Sequence, residues 1–169
     1  KALGNAHQDS GNFTSGVGRQ YIGEIGKTDN GIVVVTSHLY DGRKSIPLDI
    51  ELYQPANSLP DGKKDPEFLK KPDLALNLID RTLQRNYRPG IVIIDSGYGN
   101  NTSFLKELEN RGLKYLGGIA KNRNVTVKKE GILTSIRIDE LAKSLPRKEF
   151  TEVEINLDQP KKVWVKTLR

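Results

Sequence analysis

Apolar and polar positions along the chain change period several times, and each change predicts an element. The run Ile91-Val92-Ile93-Ile94 follows Arg88-Pro89-Gly90 and ends in Asp95-Ser96-Gly97-Tyr98-Gly99. A short continuous aliphatic run after a turn signal predicts a strand covered on both faces. Asn101-Thr102-Ser103 then offers cap oxygens to a helix over Ser103–Asn110, with Phe104, Leu105 and Leu108 turned inward and a stop near Gly112. The next strand is Lys114–Ile119, expected beside Ile91–Ile94 through a right-handed crossover.

Upstream the pattern is that of hairpins. Tyr21–Ile25 and Ile32–Tyr40 read as strands joined by Asp29-Asn30-Gly31, and Asp41-Gly42 returns the chain into a strand over Ser45–Tyr53. Ile32-Val33-Val34-Val35 is too apolar for an exposed edge and is placed inside a sheet. Pro72 opens a helix whose stripe Leu74, Leu78, Ile79 and Leu83 faces that sheet. Arg81, Arg85 and Arg88 form a second stripe, read as a solvated face rather than a phosphate grip. Downstream, Val125–Lys128 pairs with Ile132–Ile138, and Asp139 caps a helix over Glu140–Leu145. Glu152–Leu157 then pairs with Lys162–Leu168, where Trp164, the only tryptophan, reads as a packing anchor rather than a base-stacking platform. Lys1–Ser15 has neither period and reads as a loose polar arm.

Composition narrows the chemistry. The 169 residues suffice for one domain with a sizeable core, and 36% hydrophobic with 28% charged residues describes an ordinary globular chain. Without cysteine there is neither a disulfide framework nor a thiolate metal site, and two histidines, His7 and His38, argue against a histidine-rich one. No apolar stretch has the length of a membrane span and Lys1-Ala2-Leu3-Gly4 is no signal peptide, so a cytoplasmic protein is expected. The absence of Met, even at the start, is the pattern of a fragment. A net charge of +6 favours an acidic partner such as nucleic acid.

Asp95 is the residue to explain, because ligands and chemistry gather at the C-terminal ends of strands in open α/β sheets. A carboxylate there could hold a divalent metal, accept a phosphoryl group or cap the next helix. No Gly-Lys-Ser/Thr follows Gly97-Tyr98-Gly99, so a P-loop fails, and Ser96 lacks the flanking glycines of a nucleophile elbow. Ala120-Lys121-Asn122-Arg123-Asn124 closes the following strand with a basic cluster that could grip a phosphate backbone or simply keep a loop soluble.

Four stretches occur in order: Gly16-Val17-Gly18-Arg19-Gln20-Tyr21, Gly26-Lys27-Thr28-Asp29-Asn30-Gly31, Lys71-Pro72-Asp73-Leu74-Ala75 and Asp95-Ser96-Gly97-Tyr98-Gly99. Together they resemble the DDE-type transposases of bacterial insertion sequences. The resemblance runs from about Gly11 to the end of the chain. It implies an α/β fold, a ribonuclease-H-like mixed sheet with flanking helices and a β-rich C-terminal insertion. On that frame residues 1–15 are the arm, 16–124 a partial catalytic core and 125–169 the insertion region, truncated at its end.

In that family the aspartate of Asp-Ser/Ala-Gly-Tyr-Gly is the second of three metal-binding acids, and it falls on Asp95. The first lies on an apolar strand somewhat over a dozen residues before Val-Gly-Arg-Gln-Tyr. Leu3-Gly4 stands there instead, with Asp9 in Asp9-Ser10-Gly11 a poor substitute. The final glutamate would fall beyond Arg169, with Glu140 as a rival inside the chain. The resemblance further implies Mg²⁺ or Mn²⁺ in a complete site, DNA as partner, a nucleoid-associated location and homo-oligomers; Arg19, with Lys121 and Arg123 of the basic cluster, are the candidate phosphate contacts. Two such ions could activate water or a 3′-hydroxyl for in-line displacement at phosphorus. The expectation is part of a transposase, inactive by itself. The alternatives are a noncatalytic DNA-binding remnant and a receiver-like phosphoacceptor domain, the latter opposed by the hairpins before Asn57.

Overall fold

The computed structural model describes residues 3–7, 16–22, 25–129, 131–155 and 161–165. The backbone falls into two compact units, Lys1–Ile119 and Ala120–Arg169.

The first unit is built on one long strand. β1 (Leu3–His7), β2 (Gly18–Ile22), β3 (Lys27–Tyr40) and β4 (Ser45–Tyr53) form an antiparallel sheet in which β3 pairs with all the others. Val33 stands opposite both Asn5 of β1 and Tyr53 of β4, so the most β-branched stretch of the chain is interior to the sheet, as its composition predicts. Leu3–His7, expected within a loose arm, is therefore a strand along Gly31–Val35.

The first hairpin turn also differs from expectation. Asp29-Asn30-Gly31 lies inside β3, opposite Gly18-Arg19-Gln20, and the chain reverses earlier. The Gly26 N–H donates to Ile22 O at 3.0 Å, and Gly26 takes the positive φ of 67° that a side chain would resist. Gly31, without a side chain, instead lets Gln20 Nε2 donate to its carbonyl at 2.8 Å in a buried site. Asp41-Gly42 does form the expected second turn. Pro47 sits where the β3–β4 register shifts, a place that tolerates a missing donor.

α1 (Lys71–Gln84) packs on one face of this sheet. Pro72 occupies its first turn, and the Asp73 carboxylate accepts from the Lys70 N–H at 3.2 Å. Leu74, Ala75 and Leu78 are buried against Val35, and Ile79 and Leu83 pack partly around them. The arginine stripe is not simply solvated. Arg81 Nε lies 3.0 Å from Asp49 Oδ2, its Nη2 lies 2.7 Å from Glu51 Oε1, and Arg85 Nη2 reaches Asp49 at 3.1 Å. Asp49 and Glu51 on β4 are the acids that meet α1, so the basic stripe finds partners there. Arg88 Nη2 donates instead to the carbonyls of Arg111 and Gly112, at the open end of the next helix.

β5 (Val92–Ile94) and β6 (Tyr115–Gly117) form a parallel pair connected through α2 (Ser96–Gly99) and α3 (Thr102–Asn110). Val92 and Ile94 pack against the core with Phe104 and Leu108. Ile93 is 67% exposed and Leu116 62%, so the aliphatic run is covered on one face only, against the expectation of two. The helices on which its burial depends, α1 and α3, both lie on the side of Val92 and Ile94.

A bidentate ion pair ties α1 to the end of α3. Arg111 donates to both Asp80 oxygens, at 2.6 and 2.8 Å, and to Glu107 Oε2 at 2.7 Å. The guanidinium holds the Asp80 carboxyl below its ordinary value of 3.8. A carboxyl depressed by folding stabilises above its unfolded pKa, and that contribution disappears as pH falls through the lower, folded one. Replacing Arg111 by Met is expected to cost about 1–2 kcal/mol at neutral pH. The difference from the unmodified chain should shrink at about pH 3, read from urea midpoints at both values. A gap independent of pH would remove the ion pair as its source.

The second unit is β-rich, as expected. β7 (Asn124–Lys129) and β8 (Ile132–Arg137) make one antiparallel hairpin, and β9 (Thr151–Ile155) and β10 (Lys161–Val165) another. α4 (Ile138–Ser144) follows β8 directly. Its cap position is Arg137, not Asp139. The Asp139 carboxylate sits in the first turn and accepts from Arg137 Nη2 at 2.8 Å. Trp164 is 47% exposed, so the packing anchor expected there is not one.

Candidate active site

The sharp end of the first unit is the turn after β5. Asp95 leaves the strand in an extended conformation, ψ 179°, and becomes the cap of α2. Its Oδ1 accepts from the Gly97 N–H at 2.8 Å and the Tyr98 N–H at 3.3 Å. Fixing one carboxylate oxygen on two amides orients the other, on an exposed residue.

The glycines around it set how closely the two strand ends approach. A Cβ on Gly99 would overlap the carbonyl oxygen of Gly118 and lie 3.1 Å from its carbon. One on Gly117 would sit 2.7 Å from Ile94 Cγ1. The α2 turn therefore rests directly on the backbone after β6, and only glycine permits that. Tyr98 is the wedge beneath it, buried with its ring centroid 5.1 Å from that of Phe104. Burial, with the Asp95 charge adding to it, pushes the Tyr98 hydroxyl up to about 12, so it stays protonated near neutrality.

Behind the turn lies a cavity of about 210 Å³ between residues 36–39 of β3 and 91–94. Leu39, Leu78, Ile79 and Phe104 make it largely apolar. Two hydroxyls at its wall, Ser37 Oγ and Tyr98 Oη, are buried with no hydrogen-bond partner among the described residues. Neither the cavity nor the Gly99–Gly118 contact was anticipated from sequence. The only signal for the contact is the recurrence of glycine at 97, 99, 117 and 118 around two strand ends.

The sequence matches the family described as DDE superfamily endonuclease over residues 7–162. The chain belongs to the DDE superfamily endonucleases. It is also similar to the probable transposase for insertion sequence element IS701 of Microchaete diplosiphon, 36% identical over 118 residues. That alignment covers 69% of this chain and 30% of the relative, so the chain spans less than a third of the length of the curated relative it matches. No solved structure matches.

The other candidate residues read from the sequence are distributed as follows. Arg19 is exposed on β2, paired across the sheet with Asn30. Lys121 and Arg123 lie in the second unit, where their carbonyls accept from the N–H groups of Asp139 and Ile138 at 3.0 and 2.9 Å. Both side chains are exposed. Glu140 lies in the first turn of α4, 3.8 Å from Arg137 Nε, which gives it a local charge partner. Asp9 falls outside the described residues.

Among the described residues no three His, Cys, Asp or Glu side chains gather where they could share a cation. Mg²⁺ is held by one or two carboxylates together with substrate phosphate and waters, in near-ideal octahedral geometry. Asp95 by itself, with one oxygen already committed to two amides, does not make such a site for a DDE endonuclease. Among the described residues, no helix is long and apolar enough to cross a membrane.

Proposed function

We propose that this chain is part of a DDE transposase that cuts and joins DNA strands, with Asp95 as the second acid of its active site. The observation that carries this reading is the position of Asp95: at a parallel-strand end, oriented by two amides, inside a family match that spans residues 7–162. The two sheets of the first unit belong, on this reading, to one ribonuclease-H-like sheet. Antiparallel β1, β2, β3 and β4 form one side of it and parallel β5 and β6 the other. The place of the first acid of the resembled family is Leu3-Gly4, at the start of β1, where Leu3 stands opposite Val35 of β3 and the sequence offers no carboxylate.

With no carboxylate at that position, these 169 residues bind DNA but do not cleave it. Arg19, Lys121 and Arg123 are assigned as phosphate contacts. Magnesium or manganese belongs to the complete set of acids, and the protein works in the cytoplasm on the DNA of the element ends and its target, as a homo-oligomer.

DNA binding is the testable part for this chain. Neutralising phosphates releases condensed counterions, so affinity for duplex DNA should fall linearly with salt on logarithmic axes. For about four neutralised phosphates the loss between about 50 and 200 mM salt is roughly a hundredfold. Fluorescence anisotropy of a labelled duplex, titrated at both salt concentrations, measures it. A salt-independent interaction, or none at the lower salt, would defeat the proposal.

A further inference from the structure

The charge of this protein is not spread evenly. Ala120–Arg169 holds twelve Lys and Arg against seven Asp and Glu, which accounts for +5 of the chain's +6. The basic character therefore belongs almost entirely to the two-hairpin unit. Within that unit lies the only tryptophan, on β10 of the second hairpin.

Trp164 stands opposite Glu152 in the hairpin register, with Lys162 two residues before it on the same face. Glu152 is neutralised by Lys162, whose Nζ lies 2.6 Å from Oε1. The Arg147 guanidinium carbon lies 4.7 Å from the centroid of the Trp164 ring. Arg147 and Lys148 are both exposed. Nearly half of Trp164 still faces solvent, at 47%. A large aromatic ring seldom stays this open without use, because burying it is worth more than almost any other side chain. Here one guanidinium is already laid against it, a planar cation beside a flat π surface.

We infer that Trp164 and Arg147 form a stacking site for an unpaired nucleobase, so that the second unit holds single-stranded or locally opened DNA. An indole face accepts any base, and a neighbouring arginine adds a cation for the backbone and a second plane for stacking. Bases inside a duplex are stacked on one another and cannot use the ring. The site thus distinguishes unpaired from paired strands where the phosphate contacts do not. This rests on the DNA-binding reading above and adds to it which form of DNA the second unit prefers.

Because Trp164 is the only tryptophan, its emission reports this site alone. The full chain is titrated with an unstructured oligothymidine of about 20 nucleotides and, separately, with a fluorescein-labelled duplex of the same length. The expected result is saturable quenching by the single strand and little by the duplex. Trp164→Leu, which keeps an apolar side chain but has no π face, should weaken single-strand binding roughly tenfold or more, by anisotropy of labelled oligothymidine. Trp164→Phe should restore most of it, and duplex binding should change little in either variant. Circular dichroism of both variants verifies that the hairpins persist. If the single strand leaves the emission unchanged, or Leu binds it as well as Trp, the stacking site is wrong while duplex binding still stands. If neither DNA binds the unmodified chain at low salt, the stacking site and the DNA-binding reading are both overturned.

Discussion

Gly99→Ala is expected to destabilise the chain by about 3 kcal/mol or more, enough to leave it largely unfolded if stability is ordinary. A methyl group there would occupy the position of the Gly118 carbonyl oxygen. Its neighbour is backbone, held at the end of a strand paired with β5, so it cannot swing aside as a flexible side chain would. Relief requires the α2 turn to lift from β6, which would pull Tyr98 from beside Phe104 and loosen the amides that hold Asp95. The comparison is Gly90→Ala, where an added Cβ meets nothing within 4 Å and a change within about 0.5 kcal/mol is expected. Urea unfolding of both variants measures the difference. Equal midpoints would mean that the turn is not seated on Gly118.

Leu108→Ala should be the second large effect, about 2–5 kcal/mol. Leu108 is fully buried at 0% exposure, in the cluster that joins α1, α3 and β5. The deletion removes transfer free energy and leaves a void, and the cost depends on how far the surroundings collapse. Collapse is limited because Arg111, one turn on, is fixed to Asp80 and Glu107. Leu116→Ala, at a residue 62% exposed, should cost far less. Denaturant midpoints again decide. A small effect at Leu108 would contradict the packing of α3 against this core.

Much of the first unit was legible because its signals are local. The Val33–Val35 run, the Asp41-Gly42 turn, Pro72 at the start of α1 and Asn101 at the cap of α3 each act within a few residues. Asn101 Oδ1 accepts from the Phe104 N–H at 3.1 Å, as its position before Thr102 and Ser103 suggested. The misplaced features depend on distant partners. Asp29-Asn30-Gly31 carries a turn composition, but β2 pairs through it, and pairing over five residues outweighs a local preference. Leu3–His7 has no strand period and is a strand because β3 offers an edge to it. The Arg81 and Arg85 stripe looked solvent-facing because the acids that meet it, Asp49 and Glu51, are thirty or more residues away in sequence.

The site divides in the same way. Asp95 at a strand end was visible in a short stretch of sequence that left capping as one of three roles open to it, and family membership is supported by motifs spread over most of the chain. What surrounds Asp95 was not visible. The Gly99–Gly118 contact and the apolar cavity arise where β5, β6, α1 and β3 meet, and no short pattern encodes such a meeting. Trp164 was misread for a related reason: a lone tryptophan is usually buried, and its exposure depends on what the rest of the unit can cover.

On the proposed function, Asp95 is one acid of a strand-transfer site that these 169 residues do not complete. Incubation of the purified chain with supercoiled plasmid and Mg²⁺ or Mn²⁺ tests it directly, with nicked circles scored on an agarose gel. The expected result is plasmid that is bound but remains supercoiled, with either metal. Metal-dependent nicking that disappears in Asp95→Ala would contradict the claim and would make Asp9 and Glu140 the acids that complete the site.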